Sequence, residues 1–437
     1  MPEPSISLEK MQWYIPAQTN TPIQVFSKEI PKSLSAYISD TLKHNHNLKE
    51  LAVTVQASEI VAEIASGRLL PQADISQNTQ RDNSGAGAKP QTGFSVSGNV
   101  SWAIDLWGKI SDEAAAAQLH AQAEQQNYLN LKRVLIAQAL DAWIIYWQFR
   151  QQNTILADLS NIDIDQLSLL RDRYESGLAS YAQYTAQNNI KRDTAIRTET
   201  ALVEQKKILH LLNVLRGKLP LSDLDMGDAE FMPVFLPINE YVPATYIASR
   251  PDIQAAFKRV QILDKETQAS YKALLPQINI TGNLTKSAPS LADLFGEKLI
   301  WQMVGGLTQP VFNGGQLRRQ AQKKSKEAQS AFYAYEGAVL KAMQEVENAL
   351  VQDHTLNTQL QIMQAKMAGV KGRLISAEEQ YHDGNIQAFE YLSVRKEYLE
   401  TDYEYQAMQG QYLRNRVTLV LSLGQPFGIS EGIDNEE

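Results

Sequence analysis

Cysteine is absent from the 437 residues of the chain, which excludes disulfides, thiolate metal sites and cysteine nucleophiles in this sequence. No cysteine is available for lipid attachment either, so the anchoring of a native N-terminus stays open. No apolar run reaches about 18 residues, which excludes a transmembrane helix. Basic residues are outnumbered, with 41 Lys and Arg against 49 Asp and Glu. Nucleic acid is therefore not an expected partner, because phosphate binding needs a basic patch.

Proline is missing from two long tracts, residues 91–219 and 311–425. Because a proline in a helix interior costs about 3 kcal/mol, these tracts predict long helices. Apolar residues recur inside them at spacings of three and four, close to the 3.5-residue period of coiled coils. One turn interrupts each tract, at Ser176-Gly177 and at Asp383-Gly384. About 60 residues before such a turn would span roughly 90 Å as a helix.

Alternation with period 2 around the start of each tract predicts four strands, over residues 72–80, 93–106, 277–285 and 299–312. Turn-rich loops at 81–91 and 287–298 join them into two hairpins. In an ordinary sandwich the apolar face of such strands is the core. The other face is rich in small uncharged residues, which is also typical of the lumen of a membrane barrel. Four aromatic residues are candidates for the membrane interface, with core packing as the alternative: Trp102, Trp107, Trp301 and Phe312.

The chain also repeats itself, because Leu70-Pro71-Gln72 recurs as Leu275-Pro276-Gln277 and the turn at Gly177 recurs at Gly384. Each half is predicted to contain a helix, two strands, a very long helix, a turn and a long helix. Four strands are too few for a closed barrel, since the smallest single-chain barrels have about eight. Open sheet edges cannot face lipid, so the sheet is predicted to close between chains. A trimer with twelve strands is the simplest arrangement, although the sequence does not fix the number of copies.

These landmarks resemble the TolC-like outer-membrane factor family, and its efflux-type branch in particular. The first strand ends in Trp102-Ala103-Ile104-Asp105-Leu106-Trp107-Gly108-Lys109, similar to the family's W-E-[LI]-D-L-[FW]-G-[KR], with Ala103 in place of the usual Glu. The second hairpin ends in Gln309-Pro310-Val311-Phe312-Asn313-Gly314-Gly315. The similarity covers about residues 35–425, and the order and duplication of the motifs make it specific.

The resemblance implies an α+β membrane protein with an internal two-fold sequence repeat. It implies a trimeric 12-stranded transmembrane β-barrel, with four strands per chain, continued by a long α-helical coiled-coil barrel. The expected domains are an extended segment 1–34, a first repeat 35–219 (β-hairpin 69–107, helical hairpin 109–218), an equatorial connector 220–251, a second repeat 252–425 (β-hairpin 275–312, helical hairpin 315–423) and a tail 426–437.

The same resemblance implies an outer-membrane exit duct of a tripartite efflux system in a Gram-negative bacterium, with the helices in the periplasm. Its expected partners are two further copies, a periplasmic adaptor, an inner-membrane pump of the resistance-nodulation-division type, and outer-membrane lipid. The start Met1-Pro2-Glu3-Pro4 is no signal peptide, which predicts a cytosolic protein or a mature form with an added Met. A type I protein-secretion duct and a soluble coiled-coil scaffold remain the alternatives.

Roles for the two turns follow from the resemblance, with plain turn residues as the alternative. The expected adaptor-docking tips are Gly177, Leu178, Ala179 and Ser180, and Gly384, Asn385, Ile386 and Gln387. Family members place acidic residues just past each tip, and the matching gate residues here are Gln183, Tyr184, Glu390, Tyr391 and Ser393. Gln183 and Ser393 replace acids, so a trimer would carry one ring of three Glu390 carboxylates, which would attract cations. A solvated Glu390 is the alternative.

Enzyme chemistry finds little support in the sequence, and no cofactor is expected. His44-x-His46 is the one close His pair, and no nearby carboxylate cluster gives it metal-ligand spacing. Gly305-Gly306 and Gly314-Gly315 lack the Lys-Ser/Thr of a phosphate-binding loop, so bends or close packing explain them better.

Overall fold

The computed structural model describes residues 31–82, 90–224, 226 and 244–427, and only the backbone of residues 244, 245 and 295. Most of the segments predicted over 1–34, 220–251 and 426–437 lie outside these ranges. The elements in chain order are α1 Lys32–His44, α2 His46–Gly67, β1 Gln72–Asp82, β2 Gln91–Ile104, α3 Lys109–Glu175, α4 Tyr181–Leu215, α5 Ala244–Ser249, α6 Pro251–Lys272, β3 Gln277–Ala288, β4 Ile300–Thr308, α7 Gln316–His382 and α8 Ala388–Ser422. None of the helices in the described ranges is both long and apolar enough to cross a membrane.

The chain divides into two compact units, each assembled from both halves of the sequence. The first contains the sheet and combines Leu51–Tyr128 with Pro251–Ala338. The second contains both helical turns and combines Leu129–Arg250 with the described residues before position 51 and after position 338. The division by repeats predicted from the sequence stays a prediction.

The long helices of the two halves have equal lengths. Both α3 and α7 contain 67 residues, and both α4 and α8 contain 35. Their first residues are 207 positions apart in each case (316 − 109 and 388 − 181). Strong helix formers such as the Ala and Gln residues near the start of α3 explain why these segments are helical.

The four strands form one antiparallel sheet in the order β1-β2-β3-β4. Strands predicted to reach positions 106 and 312 end earlier, at Ile104 and Thr308. After β2, the Asp105 carboxylate accepts hydrogen bonds from the backbone N–H groups of Ile110 and Ser111, at 2.9 and 2.8 Å, and so caps α3. After β4, Pro310 has no N–H to continue the ladder. Trp107 and Phe312 therefore lie outside the strands.

The two faces of the sheet differ sharply in polarity. One row across all four strands on the apolar face consists of Ile75, Gly98, Leu284 and Trp301. The apolar face is not a packed core, because Ile75 is 84% exposed and Trp301 is 73% exposed in the single chain. The opposite face presents Ser, Thr, Asn and Gln on the strands, as the alternation predicts. A single chain therefore does not bury this face as the core of a sandwich.

In the second unit, three helices pack around an apolar cluster that reaches the start of α8. Its buried members come from α3, α4 and α8: Ile155, Leu156, Leu159, Ile162, Ala201, Leu392 and Leu399. Tyr391 and Tyr398 pack against the same cluster. Through Leu392 and Tyr391 this cluster holds the start of α8, which carries three of the predicted gate residues.

Candidate gate and docking tips

Each long helix ends in the same hydrogen-bonded turn. At the first turn, the N–H of Leu178 donates to the carbonyl of Arg173 at 2.7 Å and that of Gly177 to Tyr174 at 3.0 Å. At the second turn, the N–H of Asn385 donates to the carbonyl of Gln380 at 2.8 Å, and Gly384 bonds to Tyr381 at 3.1 Å. This paired arrangement is the Schellman motif, which satisfies the last carbonyls of a helix.

Glycine is required in both turns by its backbone conformation. Gly177 has φ +74° and Gly384 has φ +75°, a region that costs other residues about 1–2 kcal/mol. A Cβ at either glycine would meet no atom within 4 Å. The constraint is therefore on the backbone alone, and it explains why Gly stands at this point of both turns.

The helices that follow the turns begin differently. The Ser180 side chain accepts a hydrogen bond from the backbone N–H of Gln183, and the Gln183 side chain accepts one from the backbone N–H of Ser180 at 2.9 Å. This reciprocal capping box stabilises the start of α4. At the start of α8, Gln387 makes no side-chain cap. Gln183, a predicted gate residue, thus has its carboxamide engaged at the helix start.

The predicted docking residues lie at the surface of both turns. Leu178 is 73% exposed, and Gly177, Ser180, Gly384, Asn385 and Gln387 are exposed as well. Ala179 and Ile386 are half-buried. Leu178 is the one large apolar side chain among the four predicted docking residues of the first turn, so it offers the most apolar surface for a contact there.

Stacked tyrosine pairs lie across both helical hairpins just behind the turns. The rings of Tyr174 and Tyr184 stack with centroids 5.9 Å apart, and those of Tyr381 and Tyr391 stack at 5.1 Å. Offset or stacked aromatic pairs contribute about 0.5–1.5 kcal/mol beyond the area that they bury. Two predicted gate residues, Tyr184 and Tyr391, are therefore held by contacts within their own hairpin.

The remaining predicted gate residues occupy different environments. Glu390 is exposed in the first turn of α8, where the helix dipole favours a negative charge. The Ser393 hydroxyl donates to the carbonyl of Phe389 at 2.7 Å and accepts from Gln166 Nε2 at 3.1 Å. Gln183 belongs to the capping box, and Ser393 bonds to α3. Glu390 is the polar gate candidate that takes part in neither contact.

A buried polar network, which the sequence analysis missed, lies beside these residues. Asp163 of α3 is fully buried, and its carboxylate accepts hydrogen bonds from Lys396 Nζ at 2.5 Å and from Thr194 Oγ1 at 2.6 Å. Gln187 Nε2 lies 3.5 Å from the same carboxylate and donates to Gln166 Oε1 at 3.1 Å. Since Gln166 bonds to Ser393, the network connects α3, α4 and α8. The sequence does contain one signal for this network: Asp163 lies at the helical spacing of the apolar residues around it.

The sequence model of the family described as outer membrane efflux protein matches residues 37–202 and 242–425 of this chain. Together these ranges make up well over half of the sequence.

The chain belongs to the outer membrane efflux protein family.

Relatives of known name are similar along most of their length. The chain is 25% identical over 406 residues to the pyoverdine export outer membrane protein OpmQ of Pseudomonas putida. The matched region covers 90% of this chain and 85% of that protein. It is 22% identical over 416 residues to the cation efflux system protein CusC of Escherichia coli, covering 90% and 86%. Both similarities therefore extend over most of each protein.

Solved structures of channels have the same fold. The CmeC outer membrane channel of Campylobacter jejuni superposes with a TM-score of 0.82 at 20% identity, covering 98% of this chain and 94% of that one. The open-state MtrE outer membrane channel of Neisseria gonorrhoeae gives 0.81 at 18% identity, covering 94% and 98%. At these identities the comparison establishes the fold alone.

The four aromatic residues predicted for the membrane interface divide into two pairs. Trp102 and Trp301 lie on the apolar face of the sheet of this efflux protein, four residues apart along the register. Trp107 and Phe312 follow strand ends, and Phe312 is 90% exposed. The indole N–H of Trp102 donates to the carbonyl of Leu69, and that of Trp107 to Pro276, at 3.0 and 2.7 Å. Both indole N–H groups are therefore satisfied by backbone carbonyls.

His44 of the predicted His pair is engaged in a local contact. His44 Nδ1 lies 2.7 Å from a carboxylate oxygen of Asp40. Within the described residues, no group of three or more His, Asp or Glu side chains is placed to hold a metal ion.

Proposed function

We propose that this chain is the outer-membrane exit duct of a tripartite efflux system, which passively conducts small molecules to the exterior and performs no chemistry. The observation that carries the proposal is the four-stranded sheet, whose apolar face is exposed and whose other face is polar. The strands contain 9 to 14 residues, and a tilted transmembrane strand needs about 9–11. An apolar face toward lipid and a polar face toward water is the arrangement of membrane strands.

In this proposal three copies close one barrel of twelve strands. β1 and β4 are the edges of the sheet, and their unpaired backbone groups cannot face lipid. Pairing β4 of one copy with β1 of the next would satisfy both edges. The same three copies would place six helical hairpins of matched length side by side in the periplasm, which is the proposed helical barrel.

The equal helix lengths and the constant offset of 207 residues support the internal repeat and the division into residues 35–219 and 252–425. The turns at Gly177 and Gly384 would then lie at corresponding places in the periplasm. Both turns are proposed to meet the helical hairpins of a periplasmic adaptor, with Leu178 as a central contact. The adaptor would link the duct to an inner-membrane pump of the resistance-nodulation-division type.

The proposed gate contains Gln183, Tyr184, Glu390, Tyr391 and Ser393, with different tasks. Glu390 supplies the charge that attracts cations. Tyr184 and Tyr391 stiffen the two hairpins, while Gln183 and Ser393 hold the helix starts by the hydrogen bonds described above. The named relatives export pyoverdine or belong to a cation efflux system, which supports small molecules or ions as the class of cargo.

The test is the mass of the protein extracted from membranes in detergent, by size exclusion with light scattering, followed by conductance in planar lipid bilayers. A detergent-dependent protein mass of about three times 48.9 kDa and discrete conductance steps are expected. A water-soluble monomer or dimer that never enters detergent micelles would overturn the duct and leave a coiled-coil scaffold.

A further inference from the structure

The polar face of the sheet is nearly free of charge. Among the described residues of the four strands, only two side chains on this face are ionisable, Asp74 and Asp82, and both are acidic. Asp82 is the last residue of β1, and Asp74 is the third. The described cations of the strands, Arg81 and Lys286, lie on the opposite face.

Asp74 is held at one end of a row of amide side chains. The row crosses the sheet directly through four paired residues: Asp74, Asn99, Asn283 and Gln302. Asn99 Nδ2 donates to Asp74 Oδ2 at 2.9 Å, and Asn283 Nδ2 donates to Asn99 Oδ1 at 2.5 Å. Both asparagine amides therefore point an N–H toward β1. Hydrogen bonds directed at a carboxylate fix its position.

The row lies level with the apolar band on the other face. Ile75 follows Asp74 in β1, and Trp301 precedes Gln302 in β4, both exposed on the apolar face. An ionisable side chain at the depth of an apolar band is costly unless it faces water. Inside a transmembrane segment such a residue marks the path of ions or substrates.

We propose that Asp74 sets the charge preference of the outer-membrane section, favouring cations and cationic solutes over anions. This inference rests on the proposed function, because it takes the polar face as the lining of the duct. Three copies place three Asp74 carboxylates in the lumen and three of Asp82 at the strand end. The described strands carry no cation on the same face to offset them. A lumen lined by charge of one sign concentrates ions of the opposite sign.

The experiment measures the reversal potential of single channels in a planar bilayer with a KCl gradient. Asp74→Asn keeps the shape and removes the charge, and Asp74→Glu keeps the charge. Both are made in the native background and in Glu390→Gln, so that the gate charge does not mask the result. Asp293→Asn is the control, because this carboxylate lies in the loop before β4 and accepts a hydrogen bond from Ser290.

We expect Asp74→Asn to lower the cation-to-anion permeability ratio by at least about twofold in both backgrounds. Asp74→Glu and Asp293→Asn should retain the native ratio. An unchanged reversal potential in conducting Asp74→Asn channels would overturn the inference, as would an equal loss in Asp74→Glu. If the native protein itself never conducts, the proposed function fails, which is a distinct result.

Discussion

Lys396 Nζ lies 2.5 Å from a carboxylate oxygen of Asp163, and the two residues are 233 positions apart in the chain. Asp163 is wholly buried, and the side chain of Lys396 is 17% exposed. The pair joins α3 of the first half to α8 of the second, directly beside the apolar cluster behind the turns.

Removing the lysine should destabilise this end of the helices strongly. In Lys396→Met the Asp163 charge would be buried without its cation, which typically costs about 3–5 kcal/mol. Hydrogen exchange of the backbone amides in α3 and α8 near the turns measures the loss of local stability. Lys366→Met is the matched control, because Lys366 also pairs with a carboxylate, that of Glu404 at 2.8 Å, but does so at the surface. Equal protection in both variants would contradict the prediction.

Gly177 should not tolerate a side chain. Gly177→Ala forces alanine to φ near +74° and should cost about 1–2 kcal/mol of stability. Gly384→Ala should behave alike. Gly337→Ala provides a control of opposite sign, since Gly337 lies inside α7 and a Cβ there would meet no atom within 4 Å. Alanine at position 337 should raise the free energy of unfolding by about 0.5–1 kcal/mol. Thermal unfolding in detergent measures the stability of the three variants. An equal shift of the unfolding temperature in all three would contradict the prediction.

The caps of α4 and α8 should respond unequally. Ser180→Ala removes the capping box and should cost about 0.5–2 kcal/mol at the start of α4. Gln387→Ala removes no side-chain cap and should leave α8 unchanged. Amide exchange of the first turn of each helix distinguishes the two, and the prediction fails if both helices lose protection alike.

Glu390→Gln should weaken block of the channel by multivalent cations added on the side of the turns. Three carboxylates at the proposed gate attract cations, and the substitution removes all three charges. Single-channel recording with increasing concentrations of a divalent cation gives the apparent affinity of block. Glu400→Gln, an exposed residue further along α8, is the control and should keep native block. Native block in Glu390→Gln would remove Glu390 from the gate.

Alkaline pH should destabilise the second unit through Tyr37. Burial raises the pKa of Tyr37 far above its usual value of about 10, and its hydroxyl donates to the carbonyl of Leu212 at 3.0 Å. The folded state therefore keeps the proton while the unfolded state loses it. The contribution of the protonated Tyr37 to the free energy of unfolding is complete below about pH 10, and it falls as the pH rises above that value. Unfolding curves from pH 8 to 11 should show the decline, and Tyr37→Phe should remove this part of it. Tyr333→Phe, at an exposed ring, should leave the pH dependence intact.

Much of the fold follows from local sequence patterns. The strand predicted over 72–80 is observed as Gln72–Asp82, and that over 277–285 as Gln277–Ala288. Alternation determines strands because each residue changes face with its neighbour. The turns at Gly177 and Gly384 were predictable for a similar reason, since positive φ selects glycine whatever surrounds it.

The polar contacts between distant segments were not predictable in this way. The partner of Asp163 is 233 residues away, and no local spacing connects the two positions. Gln183 was expected at the gate from its place past the turn, whereas its carboxamide bonds to the backbone of Ser180. Single-residue roles of this kind depend on tertiary packing, which a periodic pattern does not contain.

The matched lengths of the helices restrict how such a chain can change during evolution. One residue inserted into α3 alone would advance its end by about 1.5 Å and rotate every later side chain by about 100°. Tyr174 would then turn away from Tyr184, and Asp163 away from Lys396. Insertions compatible with the packing are those of about 7 or 11 residues, which restore the same face. To keep the two hairpins matched, such an insertion would have to occur in α3 and α4 together, and again in α7 and α8. The lengths of these four helices are therefore expected to change together.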